Sequence, residues 1–175
     1  MNKISLNIHS IHLYLRLFGI VSIFFYCTAT HAQSGNRGQL RMTPAELNAA
    51  KSGTGAAPGS SNLSAVQIVV VYGDPSGPGL YTILLKVAAN TKIPAHLHPD
   101  ERVGTVISGT WYFGYGDKFD EKSLKQLPVG SVYSEVGGQN HFAMTGKDPV
   151  VVSLTGNGPS GVTYVNPADD PMKKK

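Results

Sequence analysis

The sequence is poor in the residues that cross-link or strongly charge a small domain. Cys27 is the single cysteine among 175 residues, so no disulfide can form within the chain. Charged residues make up only 15%, and the one basic run is the terminal Lys173 to Lys175. Without a basic stripe on the body of the chain, a nucleic-acid partner is not supported. An apolar core must therefore hold the fold together.

The first 32 residues have the layout of a secretory signal peptide. Lys3 and Arg16 form a basic start, residues 17–26 are almost entirely apolar, and Thr30 to Ala32 supplies small residues for cleavage. This apolar run is about half the roughly 20 residues that a membrane-spanning helix needs. We expect export to the periplasm or the medium, with no stable membrane anchor after cleavage. The alternative is an uncleaved N-terminal anchor.

The remaining 143 residues have the size of one domain. They carry 13 Lys and Arg against 11 Asp and Glu, a formal charge of +2, and no cysteine. A chain without thiols suits an oxidising compartment.

Composition divides this part into three segments. Residues 33–64 are rich in Gly, Ser, Ala and Asn and are predicted to be loosely ordered. Within them, Thr43 followed by Pro and Glu is typical of a helix start and predicts a short helix over 44–51. Residues 65–166 are predicted to form the folded domain, and 167–175 a polar tail.

The central segment has the pattern of an all-β protein. Short runs rich in Val, Ile, Tyr and Thr alternate with Gly, Pro, Asn and Asp, without a long amphipathic stretch. This spacing is typical of a β-sandwich or barrel. Strands are predicted near residues 66–72, 80–88, 103–108, 110–115, 131–135, 140–144, 149–155 and 162–165.

Histidine is scarce and concentrated. Three of the six histidines lie in the leader, and the three that remain are His96, His98 and His141. Residues two apart on a strand point to the same face, so His96 and His98 should project together. Neutral imidazoles on one face are natural ligands for transition metals.

Two motifs resemble those of the cupin superfamily. His96-x-His98 followed by Gly109 is similar to the first cupin motif, which also contains a Glu. The stretch from Gly130 to His141 is similar to the second, Gly-x5-Pro-x-Gly-x2-His-x3-Asn. The sequence departs from it at Val136, where Pro is usual, and at Thr145, where Asn is usual. The resemblance implies a double-stranded β-helix, or jelly-roll barrel, with a metal bound by His96, His98 and His141.

The acidic ligand of the first motif is displaced. The family's Glu lies seven residues before the closing Gly, where this chain has Arg102, and Glu101 is one residue early. Strict alternation points Arg102 inward and Glu101 outward, whereas a bulge after Asp100 would exchange them. Glu101 is thus a candidate fourth ligand. An inward Arg102 would bind a substrate carboxylate, and the alternative is a surface salt bridge.

An aromatic strand follows Gly109. By alternation, Trp111, Phe113 and Tyr115 share one face and Tyr112 lies on the other. These residues form either core or the lining of a pocket beside the metal, and Tyr112 is a candidate substrate contact.

The sequence thus predicts an exported cupin that binds one divalent metal: Fe, Mn, Ni, Cu or Zn. The first hypothesis is an oxygenase or isomerase acting on a small polar or acidic molecule. The alternatives are a non-catalytic module that binds a ligand or metal, and a metal-free cupin that uses its histidines as acid and base, as epimerases of the superfamily do. The resemblance also suggests a homodimer.

Overall fold

A computed structural model describes residues 37–53 and 57–173. The predicted signal peptide lies outside the described residues. The helix α1, Pro44–Ala49, begins with the predicted cap: Thr43 accepts from the backbone of Glu46, and the Glu46 carboxylate accepts from the backbone of Thr43. Among the described residues, no helix is long and apolar enough to cross a bilayer.

The rest of the fold is two five-stranded antiparallel sheets packed face to face. One sheet has the strand order β1-β2-β9-β4-β7 and the other the order β10-β3-β8-β5-β6. The strands are β1 Val66–Tyr72, β2 Gly79–Val87, β3 Lys92–Leu97, β4 Arg102–Ser108, β5 Trp111–Tyr115, β6 Lys125–Leu127, β7 Val132–Glu135, β8 His141–Thr145, β9 Val150–Gly158 and β10 Thr163–Tyr164.

Burial alternates along the strands as a two-layer core requires. In β9, the residues at positions 150, 152, 154 and 156 are buried and their neighbours are more exposed. The interior between the sheets is aliphatic and aromatic, and its largest fully buried side chains include Trp111, Tyr81, Ile68, Ile83 and Leu154. The predicted all-β jelly roll with a short N-terminal helix is confirmed.

The eight predicted strands are present, with ends that differ from the prediction by at most three residues, and β3 and β6 are additional. Pro94 lies within β3, where the pairing with β8 is irregular between Ile93 and His96. A proline cannot donate to the ladder and is tolerated at such an irregularity. Because of this proline, the local sequence pattern does not predict β3 as a strand.

The end of the segment predicted to be loosely ordered is packed against the sheets. Ser60 and Ser61 are buried. The carbonyl of Gly59 accepts a hydrogen bond from Arg102 Nη1 at 2.7 Å, and that of Ser61 accepts from the hydroxyl of Tyr164. Two buried donors therefore hold residues 59–61 against the interior.

A close contact with glycine sets the position of one interior aromatic ring. Gly104 in β4 pairs with Tyr133 in β7, and a Cβ on Gly104 would lie 2.4 Å from the Tyr133 ring. Only a residue without a side chain allows the buried ring to cross β4 at this distance.

We expect Gly104→Ala to destabilise the protein by about 1–3 kcal/mol, because the added methyl group must displace the Tyr133 ring. The free energy of unfolding in denaturant measures the effect. Gly146→Ala is the matched control, since its Cβ would lie 3.6 Å from the nearest ring. Equal stability of the two variants would contradict the steric argument.

Candidate metal centre

Three buried histidines converge between the two sheets. His96 lies in β3, His98 directly follows that strand, and His141 opens β8. Each contributes one ring nitrogen to a group whose atoms lie within 4.8 Å of one another. The predicted pair and the third histidine are therefore brought together.

Strand pairing and one turn align these residues. His96 is the direct cross-strand partner of His141. The turn before β8 contains Gly138, whose φ of 74° favours glycine and whose N–H donates to the His98 carbonyl at 2.8 Å. The two sequence motifs are thus joined by backbone hydrogen bonds.

Backbone carbonyls determine which ring nitrogen of each histidine is free. Nδ1 of His96 is 2.8 Å from the Pro94 carbonyl, Nδ1 of His141 is 3.3 Å from that of Gln139, and Nδ1 of His98 contacts the Gly161 carbonyl. Because a carbonyl only accepts, each Nδ1 must carry the hydrogen. Nε2 of a neutral ring then presents its lone pair, and this is the arrangement that metal-binding histidines use.

Burial also keeps the rings neutral. Desolvation lowers the pKa of His96 to about 3 and the pKa of His141 to about 4, and it lowers the pKa of His98 well below its ordinary value. The positive charge of Arg102 adds to the effect at all three rings. The histidines are therefore unprotonated at neutral pH, as metal ligands must be.

The residues present fit a metal ion. Among the described residues, neither Nε2 of His98 nor Nε2 of His141 has a hydrogen-bond partner, although both atoms are buried. An unsatisfied buried acceptor is costly, and an ion would satisfy it. The cavity that the histidines line measures about 20 Å³, which is room for one ion or one water.

Glu135 is a residue of the site that the sequence motifs did not predict. It ends β7, is only 5% exposed, and places Oε2 3.7 Å from His141 Nε2 and 3.9 Å from His98 Nε2. Alternation along β7 is the signal that points to it, because it places Glu135 on the same face as Tyr133, and both side chains are buried.

The other predicted site residues lie in three different environments. Arg102 is buried and points inward, where Nε donates to Glu135 Oε2 at 2.6 Å and Nη2 contacts the same oxygen. Glu101 is exposed and does not line the cavity, and Tyr112 is half-buried and does not line it either. Roles for Glu101 as a ligand, and for Arg102 and Tyr112 in substrate binding, stay predictions.

A larger cleft opens beside the histidines, where the edge strands of the two sheets, β6 and β7, leave the sandwich uncovered. It has a volume of about 470 Å³ and a mostly apolar lining that includes Val103, Tyr115, Leu127 and Val132, with Lys125 as its one charged residue. Phe113 and Tyr133 line both spaces, with ring centroids 4.3 Å apart. This aromatic pair separates the cleft from the small cavity.

Comparisons with known proteins identify the fold. No family model and no curated protein sequence matches the chain. Among solved structures, the polyketide cyclase RemF from Streptomyces resistomycificus superposes with a TM-score of 0.61 at 16% identity, over 78% of this chain and 92% of that one. The DMSP lyase DddQ from Ruegeria pomeroyi superposes with a TM-score of 0.52 at 14% identity, over 75% and 80% of the two chains. These are cupin-fold proteins, and this chain has the cupin fold that its motifs predicted.

We expect the metal-free protein to lose stability as the pH falls below about 6.5. The folded state holds the pKa of His96 near 3, so the unfolded chain binds more protons between these pH values. At pH 5, the cost from His96 alone is roughly 2 kcal/mol. Denaturant unfolding in the presence of a chelator, at pH 7, 6 and 5, measures it. His96→Asn should make the dependence shallower; a wild-type stability that is flat from pH 7 to pH 5 would refute the assignment.

Proposed function

We propose that the protein is a metalloprotein that holds one divalent transition metal ion on Nε2 of His96, His98 and His141. The observation that carries the proposal is the common orientation of the three rings. Each Nδ1 donates to a backbone carbonyl, and the Nε2 atoms converge without hydrogen-bond partners at His98 and His141.

The three histidine ligands limit which metal ions can bind but do not select a single one. Three neutral imidazole nitrogens suit Fe, Mn, Ni, Cu or Zn, and order of affinity alone does not decide among them. When bound, such an ion supplies a Lewis acid or a redox centre. The protein contributes the fixed tautomers, the exclusion of bulk water and a nearby carboxylate, Glu135.

We also propose that the protein works outside the cytoplasm. The leader-like first 32 residues and the lack of cysteine in the remaining chain support export to the periplasm or the medium. A site built from histidine rather than thiolate suits that compartment, because imidazole is not oxidised to a disulfide.

Purified protein, expressed with its leader, should contain about one metal ion per chain by elemental analysis. His96→Ala should reduce this content strongly, because one of three ligands is lost. Metal added in 100-fold excess over its dissociation constant should stabilise the wild-type protein by about 2.7 kcal/mol, and thermal unfolding measures this directly.

Glu101→Gln is the matched control, since Glu101 is exposed and does not line the cavity. It should bind metal as the wild type does. Wild-type protein that contains no metal, and that added metal does not stabilise, would refute the proposal and favour the metal-free, acid–base alternative.

A second candidate function is catalysis at this metal, as an oxygenase or isomerase acting on a small molecule. The cleft that Val132 lines favours it, because its volume of about 470 Å³ suits a small ligand and it shares Phe113 and Tyr133 with the lining of the histidine cavity. The apolar lining and Lys125 suit a molecule with an apolar body and an acidic group.

Benzohydroxamate, which combines a metal-binding group with an aromatic ring, is a suitable probe for access through this cleft. We expect it to alter the visible spectrum of the Co²⁺-loaded protein. Val132→Trp should weaken its binding at least about tenfold by filling the cleft. Val129→Trp is the control, because Val129 is equally exposed (62% against 63%) and does not line the cleft.

An unchanged spectrum would contradict catalysis on substrates that enter by this route and would favour a non-catalytic metal module. Equal effects of the two tryptophan variants would show that binding does not use the cleft.

A further inference from the structure

The carboxylate nearest the three histidines comes from a different strand than the motif resemblance implies. Arg102 occupies the position of the motif's Glu, and its direct partner across the β4–β7 ladder is Glu135. Both side chains are buried. The charge expected on β4 is therefore reversed, and a carboxylate is supplied from the adjacent strand.

The atoms around Glu135 include two buried ring nitrogens that have no hydrogen-bond partner. Oε2 of Glu135 lies 3.7 Å from Nε2 of His141 and 3.9 Å from Nε2 of His98. Because the backbone carbonyls hold the ring hydrogens on Nδ1, these three atoms are all acceptors. Lone pairs that converge in a buried site repel one another, and a positive charge between them removes the repulsion.

The distances are those of neighbouring metal ligands. In a tetrahedral site with bonds of about 2.0–2.1 Å, ligand atoms are about 3.4 Å apart. The Oε2 contacts exceed this by a few tenths of an ångström, and they are too long for hydrogen bonds. The group of ligand atoms within 4.8 Å of one another contains the three histidines and not Glu135, so the carboxylate has to shift inward to reach the same ion.

Arg102 approaches the carboxylate from the other side. Its Nε and Nη2 contact Oε2, and its Nη1 donates to the Gly59 carbonyl at 2.7 Å. All three guanidinium nitrogens are therefore engaged within the protein. Glu135 in turn supplies the negative charge that makes a buried guanidinium tolerable beside a divalent cation.

We propose that Glu135 is the fourth protein ligand of the metal and that Arg102 is the positioning residue that aims its carboxylate. This inference rests on the proposed function, since it assumes the three-histidine site. It assigns the acidic ligand to β7, and it leaves Glu101 outside the coordination sphere.

Titration of the metal-free protein with Co²⁺ tests this assignment. Competition with a coloured chelator gives the affinity, and the visible ligand-field bands report the ligand set, which a merely structural role for Glu135 would not alter. Glu135→Gln should weaken affinity at least about tenfold and shift the bands. Glu101→Gln, the matched control one residue from Arg102, should change neither.

Three outcomes separate this inference from the proposed function. If the wild type binds one Co²⁺, His96→Ala abolishes binding, and Glu135→Gln keeps the wild-type affinity and bands, the histidine site stands and Glu135 is not a ligand. If Glu101→Gln shifts the bands and Glu135→Gln does not, the acidic ligand is Glu101. If the wild type binds no Co²⁺, the proposed function fails and this inference fails with it.

Glu135→Gln leaves Arg102 buried without a countercharge, so the single variant can fail to fold. The double variant Arg102→Gln with Glu135→Gln removes both charges together. Circular dichroism establishes that it is folded. Weakened affinity with altered bands in this variant supports the assignment, and wild-type values in it overturn the assignment.

Discussion

The buried ion pair between Arg102 and Glu135 is the contact on which the organisation of the site depends. It joins β4 to β7, and through Arg102 Nη1 it holds the backbone of Gly59 over the interior. Two charges without water are expensive unless each finds a full set of partners. The guanidinium has carbonyl and carboxylate acceptors, whereas the carboxylate faces two ring nitrogens that accept and do not donate. Arginine and glutamate therefore satisfy each other, and the atoms left without a partner are the two ring nitrogens beside them.

The fold and the three histidines could be predicted because both follow from short-range rules. A period of two in burial produces the strands, and the His-x-His spacing places His96 and His98 on one face. The position of His141 does not follow from local rules, since it comes close to His96 only through pairing between β3 and β8. The resemblance of the two motifs to those of cupins supplied the information about this long-range contact. The scarcity of histidine also narrowed the choice, because only three histidines follow residue 32.

Glu135 could not be assigned in the same way, for a physical reason. Alternation in β7 places it on the buried face beside Tyr133, but only the register between β4 and β7 sets it opposite Arg102. Register depends on the turn geometry and packing of the whole sheet, which local patterns do not contain. The same holds for Gly59 to Ser61: their composition indicates a loose segment, and the donors that anchor them, Arg102 and Tyr164, are distant in sequence. The sequence left two environments for Arg102, and an inward guanidinium requires a buried carboxylate nearby without identifying which one.

The size of the cavity then bears on what the metal would do. A space of about 20 Å³ accommodates an ion and excludes a substrate, so a metal held only for binding needs no movement of the protein. Entry of a substrate from the cleft requires that the wall formed by Phe113 and Tyr133 open. Tyr133 is fixed by its close crossing of Gly104, whereas Phe113 also packs against His141, with ring centroids 5.4 Å apart. Movement of Phe113 would therefore disturb the His141 ring directly, while movement of Tyr133 would strain the β4–β7 ladder that carries the Arg102–Glu135 pair. Either route would couple substrate entry to the positions of the three histidines and Glu135, and this coupling would be the physical difference between an enzyme and a binding module at this site.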